Sequence, residues 1–176
     1  MKLNREFFNR NTVVVARELL GKYLVRKIPS TRSGQVDKII KAKITETEAY
    51  CGPNDLACHA SKGMTPRTRV MFGPPGHSYV YLIYGMYHCL NIVTEKEGYP
   101  AAVLIRGVEL SGMNGPGKLC RGLKIDKMLN GMDICAGKGL WLEDGEKILS
   151  SRIKKSKRIG VEYAGKWKDK LWRFSI

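Results

Sequence analysis

The chain has 176 residues, 43% of them hydrophobic and 27% charged, enough for one domain with a real core and too few for two ordinary ones. That balance excludes a disordered tail, which would be poorer in aliphatic residues. With 31 Lys and Arg against 16 Asp and Glu, the formal charge is +15, and a nucleic acid becomes the leading partner through a salt-sensitive attraction to phosphates, ahead of an anionic membrane or plain solubility.

Near the start, Asn11 or Thr12 can cap a helix through Val13, Val14, Val15, Ala16, Leu19 and Leu20, with Gly21 as its stop. Lys22 to Ile28 reads as a strand and Pro29 to Gly34 as a turn. A second strand runs from Ile39 to about Glu48. Period two places Ile40, Ala42 and Ile44 on one face with Glu46 and Glu48, provided that the strand neither ends nor bulges before the carboxylates. A carboxyl continuing an apolar face has an adjustable proton affinity, because burial raises its pKa and nearby cations lower it. A general base needs that property.

Residues 51 to 77 carry turn signals in close succession, Gly52-Pro53-Asn54-Asp55, Lys62-Gly63, Thr65-Pro66-Arg67 and Gly73-Pro74-Pro75-Gly76, and read as a long functional loop. Residues 78 to 94 contain no Asp, Glu, Lys or Arg, but they are short for a bilayer span and are interrupted by four tyrosines, Gly85, His88 and Asn91. They read as two strands, 78 to 83 and 88 to 94, joined at Tyr84-Gly85-Met86-Tyr87 with large side chains at the tip. A strand from Ala101 to Gly107 puts Arg106 on the face of Ala102 and Leu104, where a guanidinium needs a partner. Asn114-Gly115-Pro116-Gly117-Lys118-Leu119 resembles a loop running into a helix, equally a plain helix start or a phosphate contact. From Glu146 to Ile176, ten Lys or Arg and three Asp or Glu are interleaved with Tyr163, Trp167, Trp172 and Phe174, which predicts a folded segment covering part of the core.

Five cysteines, at 51, 58, 89, 120 and 135, contain no Cys-x-x-Cys pair and no short Cys and His cluster. Reduced thiols are expected, with no zinc site. The first residues lack the apolar stretch of a signal peptide, so an intracellular location is expected, cytoplasm or nucleoid in a prokaryote and nucleus in a eukaryote.

A carboxylate on an apolar strand face, an uncharged tyrosine-rich hairpin and a basic chain together point to chemistry on a nucleobase. Such enzymes hold the base outside the duplex against aromatic surfaces. At this point the sequence resembles the alkyladenine (3-methyladenine) DNA glycosylase family. The residues that carry the resemblance include Glu46-Thr47-Glu48-Ala49-Tyr50, Gly52-Pro53-x-Asp55, Ala57-x-His59, Thr65-Pro66-Arg67-x-Arg69-x-Met71-Phe72 and Tyr79-Val80-Tyr81-x-Ile83-Tyr84-Gly85-Met86-Tyr87. Further on stand Asn91-Ile92, Val103-Leu104-x-Arg106, Gly115-Pro116-x-Lys118-Leu119-Cys120 and Arg158-x-Gly160-Val161, in order over residues 12 to 174.

The resemblance implies a single α+β catalytic domain over residues 1 to 176, with a mixed, largely antiparallel curved sheet, flanking helices and a protruding hairpin. It implies a monofunctional, monomeric enzyme without metal or other cofactor, acting on double-stranded DNA that carries damaged purines, and no membrane role. Glu48 would deprotonate the attacking water, held also by Arg106 and the Ile159 main chain. Tyr50, His59, Tyr81, Asn91 and Leu104 would form the base pocket, with Asn91 disfavouring the amino group of guanine. Tyr84 would fill the gap in the duplex, and Met86, Tyr87, Arg67 and Lys118 would touch DNA.

Without the resemblance, Glu48 reads as an ion-paired strand-end glutamate, Arg106 as its partner or that of Glu46, His59 as a hydrogen-bonded loop residue, and the tyrosines as ordinary sheet aromatics. The other functional classes are a non-catalytic binder of distorted DNA or structured RNA and a zinc-dependent deaminase. The deaminase would need His-x-Glu and Pro-Cys-x-x-Cys patterns, which are missing.

Overall fold

A computed structural model describes residues 1–30 and 34–176, and its first two helices begin at capping asparagines. A short helix α1 (Arg5–Phe8) starts at Asn4. In α2 (Thr12–Glu18) the Asn11 side chain accepts from the amides of Val13 and Val14, satisfying donors that the first helical turn leaves open. The chain then turns at Gly21, whose φ of +81° suits glycine and whose amide bonds to Ile44 O. Residues 31–33 of the expected Pro29–Gly34 turn lie outside the described residues.

Strand β1 (Tyr23–Ile28) and the 14-residue β2 (Lys38–Cys51) follow. After the loop come β3 (Ser78–Ile83), β4 (Tyr87–Val93) and β5 (Ala101–Val108), then α3 (Pro116–Gly122). Three further strands complete the chain, β6 (Leu140–Glu143), β7 (Lys154–Ser156) and β8 (Arg173–Ser175). The resulting α+β architecture is a curled sheet in the order β3-β4-β5-β2-β1-β6, with β8 joined to β2 and β7, and each described pairing is antiparallel. Among the described residues no helix is long and apolar enough to cross a membrane.

The core gathers Phe8, Val15, Ala16, Leu19 and Leu20 from the N-terminal helices with Ala42, Ile44, Ala49, Val103, Ile105 and Phe174 from the sheet. The predicted face of β2 needs correction here. Its pairing with β5 runs Ile44 with Val108, Glu46 with Gly107 and Thr47 with Ile105, so both strands break step between Ile44 and Thr47. Beyond this bulge Thr47 and Ala49 are the buried residues on the core side, and the Thr47 hydroxyl donates to Ala16 O at 2.7 Å. Glu46 and Glu48 therefore stand on the opposite face from Ala42 and Ile44. A bulge adds a residue to one strand and so reverses the alternation. Gly107 permits the close approach, because a Cβ there would lie 3.2 Å from Thr45 Oγ1 and 3.3 Å from Glu46 Cβ.

Candidate active site

Since β2 and β5 change face together, Tyr50 from β2 and Ala102, Leu104 and Arg106 from β5 look into a cavity of about 410 Å³. Its other walls include His59, Met71, Tyr81, Asn91, Ile159 and Tyr163, a size and mixture proper to a small-molecule site. Arg106 does share a face with Ala102 and Leu104, as period two requires. The predicted pocket residues Tyr50, His59, Tyr81, Asn91 and Leu104 all line this one cavity.

Glu48 sits behind that lining with 0% of its surface exposed. Its Oε1 accepts the Ile159 amide at 2.9 Å, and its Oε2 accepts the Tyr50 hydroxyl at 2.8 Å and Arg106 Nη1 at 3.5 Å. Burial pushes the Glu48 carboxyl above its ordinary pKa, while Arg106, the Ile159 amide and the Tyr50 hydroxyl hold it back and Glu46 adds to the rise. The Tyr50 hydroxyl stays protonated, since burial and the neighbouring Glu48 charge raise it well above the usual phenol value. Arg106 is shared, its Nε donating to Glu46 Oε1 at 3.2 Å. Arg173 Nη1 donates to that same oxygen at 3.0 Å. Arg106 is thus the structural partner of both glutamates, and it also lines the cavity.

His59 and Tyr81 form one wall. Their ring centroids are 4.6 Å apart at an interplanar angle of 75°, an edge contact that leaves no room for a further ring between them. His59 Nδ1 lies 3.0 Å from the Tyr79 hydroxyl. Burial, with Arg67 close by, lowers the His59 pKa to about 4, so the ring is neutral at neutral pH. The Arg67 guanidinium stands 4.9 Å from the centroid of the Tyr81 ring, a cation–π contact at the rim. Asn91 is pinned by its Nδ2, which donates to Tyr79 O at 3.2 Å.

The hairpin turn projects Tyr84 into solvent, 86% exposed, at the cavity mouth. Tyr84 and Gly85 both have positive φ, +51° and +69°, the sign required at the two centres of a type I′ turn. For a tyrosine that backbone is strained. Met86 and Tyr87 are exposed beside Tyr84 and border a second groove together with Arg121 and Lys124. Gly117 lets α3 approach the hairpin, since a Cβ there would meet the Tyr87 ring at 2.9 Å. Lys118 is exposed on the first turn of α3, outside the cavity that Pro116 lines.

Sequence reading missed three contributors: Arg173, the second cation on Glu46; Tyr79, which bonds His59; and the buried pair Asp55 with Arg158. Asp55 and Arg158 lie within matched motifs, but their partnership spans 103 residues and leaves no local pattern. Among the described residues no group of three or more His, Cys, Asp and Glu side chains is arranged to hold a metal ion.

Comparison with known proteins identifies the class. The profile of the family described as Methylpurine-DNA glycosylase (MPG) matches residues 6–176. A protein of Methanocella arvoryzae is 52% identical to this chain, covering 98% of it and 90% of the relative. A Legionella pneumophila (strain Corby) protein is 48% identical over 99% of this chain and 94% of its own, and one from Desulfitobacterium hafniense is 45% identical over 99% and 95%. All three relatives are named for 3-methyladenine DNA glycosylase activity. The chain belongs to the methylpurine-DNA glycosylase family. It is a DNA glycosylase, a DNA-binding hydrolase of base excision repair.

Proposed function

We propose that the cavity receives an alkylated or deaminated purine flipped out of duplex DNA, of the 3-methyladenine, hypoxanthine and ethenoadenine class, and that a water activated by Glu48 cleaves its N-glycosidic bond. The observation that carries this reading is the buried Glu48 carboxylate, oriented by Tyr50, Arg106 and Ile159 directly behind an aromatic cavity. Cleavage develops positive charge on the sugar, so one carboxylate both accepts the proton of the water and stabilises that charge. The Ile159 amide is engaged with Glu48, which leaves its carbonyl and Arg106 to hold the water.

Because His59 and Tyr81 touch, the flat space for a base lies between their shared wall and Tyr50. Stacking on such rings contributes about 1 to 3 kcal/mol per base and suits an electron-poor, alkylated purine. A neutral His59 does not repel a base that carries positive charge. The pinned Asn91 amide cannot swing aside for the 2-amino group of guanine. No lysine lines the cavity among the described residues, which favours water over an amine nucleophile and hence a monofunctional enzyme. The exposed Tyr84 takes the place of the extruded nucleotide, Met86, Tyr87, Arg67 and Lys118 contact the DNA, and one monomer suffices.

Duplexes carrying hypoxanthine, 1,N6-ethenoadenine or a 3- or 7-methylated purine should release free base and leave an abasic site. Glu48→Gln should lose about 100-fold or more of that activity. Full activity in Glu48→Gln would overturn the assignment, and salt-dependent binding without release from any lesion would identify a non-catalytic binder instead.

A further inference from the structure

Asp55 and Arg158 form the most deeply buried ion pair among the described residues, both side chains 0% exposed. Arg158 Nη1 donates to Asp55 Oδ2 at 2.5 Å and to Ala49 O at 2.9 Å, and Nη2 donates to Asp55 Oδ1 at 2.9 Å and to Trp167 O at 3.1 Å. Asp55 also accepts the amides of Cys51 and Ala57, each at 3.1 Å. The pair thereby ties together β2 at the residue between Glu48 and Tyr50, the loop leading to His59, and the turn at Trp167.

Two details point beyond stability. Arg158 Nε is buried without a partner among the described residues, a costly arrangement, and exchanging a buried ion pair for apolar side chains is commonly neutral or stabilising. Moreover, Arg158 touches the catalytic apparatus on two sides. It is one peptide unit from the Ile159 amide that binds Glu48, and its guanidinium lies 4.9 Å from the Tyr50 ring centroid. Arg158 does not line the cavity whereas Tyr50 does, so the cation backs the buried side of that ring.

Resting on the water-activation reading above, we propose that the Asp55–Arg158 pair is a positioning device that sets the Ile159 amide and the Tyr50 hydroxyl against Glu48. Both donors favour the ionised carboxylate. Loosening them lets Glu48 retreat from the water and makes it harder to ionise. The other groups facing Glu48 stay in place: Arg106 on β5, Cys89 on β4, and Glu46 with its second partner, Arg173 on β8.

The test is Arg158→Lys, which keeps the charge but replaces a planar fork by a single ammonium facing the same acceptors. Base release is followed under single turnover from pH 4 to 9 on a lesion duplex. In parallel, the glutamate carboxyls of the DNA-free protein are titrated by carbon-13 NMR, with Glu48→Gln identifying the Glu48 signal. The expected result is a loss of about 100-fold in the chemical step, the scale of a small misplacement transmitted from outside the reacting centre, with duplex affinity unchanged. The acidic limb of the rate profile and the Glu48 titration should both move to higher pH. Asp55→Asn should shift both in the same direction, and Lys157→Ala, on the neighbouring exposed residue, should shift neither.

A wild-type rate with an unmoved Glu48 titration in Arg158→Lys overturns the proposal. So does a rate that falls only in proportion to the folded fraction measured by circular dichroism. If the unsubstituted protein releases no base while the Glu48 titration still shifts in Arg158→Lys, the function proposed above fails and the positioning role stands.

Discussion

Glu48 works against the fold that holds it. With its folded pKa raised by burial, the protonated carboxyl is favoured more in the folded than in the unfolded chain, so the stability it confers is fully present below the ordinary value of 4.5 and is lost as pH rises through the folded value. The wild type should therefore gain stability relative to Glu48→Gln as pH falls across that window, which urea unfolding of both proteins at stepped pH will show. Under the proposed mechanism the same ionisation acts on activity in the opposite sense: base release would require the carboxylate, so its acidic limb should lie above the ordinary value of 4.5. At this scale the sequence was informative about identity: Glu48, Tyr50, His59, Tyr81, Asn91, Leu104 and Arg106 were all named, and six of them line one cavity with Glu48 immediately behind. Their ionisation was not legible. It depends on burial and on amides such as that of Ile159, 111 residues away from Glu48.

Two elements shape the site, the broken step between β2 and β5 and the hairpin of β3 and β4. The bulge escaped period-two reading for a physical reason: Thr45, Glu46 and Thr47 are all polar, so reversal of face within them leaves no mark in the hydrophobic pattern. The hairpin was plain, because β-rich residues flank Tyr84-Gly85 and the turn demands positive φ there. Tyr84→Ala should release backbone strain and remove the proposed wedge. The expected outcome is a substantial loss of base release from duplex with little loss on a single-stranded substrate, where no gap has to be filled. Equal loss on both, measured by single-turnover kinetics, would count against the wedge.

Across the whole molecule, the last strand closes the structure onto the site. β8 pairs Thr47 with Phe174 and Glu48 with Arg173, and Phe174 is buried in the main core. Phe174→Ala should lower stability by about 3–5 kcal/mol in urea unfolding, the range for emptying a buried aromatic site. Activity should fall further than the unfolded fraction explains, because the neighbouring Arg173 would lose its register on Glu46. The surplus of +15 acts over the same scale, and duplex affinity should fall linearly on a log-log plot against salt.

Charge and composition determined a basic, folded chain, the hydrophobic pattern gave the tyrosine hairpin, and the order of the motifs carried the family resemblance that implied an α+β fold. Local periodicity could not determine which way Glu48 faces, what Arg158 holds, or that a C-terminal strand lies against β2. Those follow from contacts between residues far apart in sequence, and only the closing of the sheet brings them within hydrogen-bonding distance.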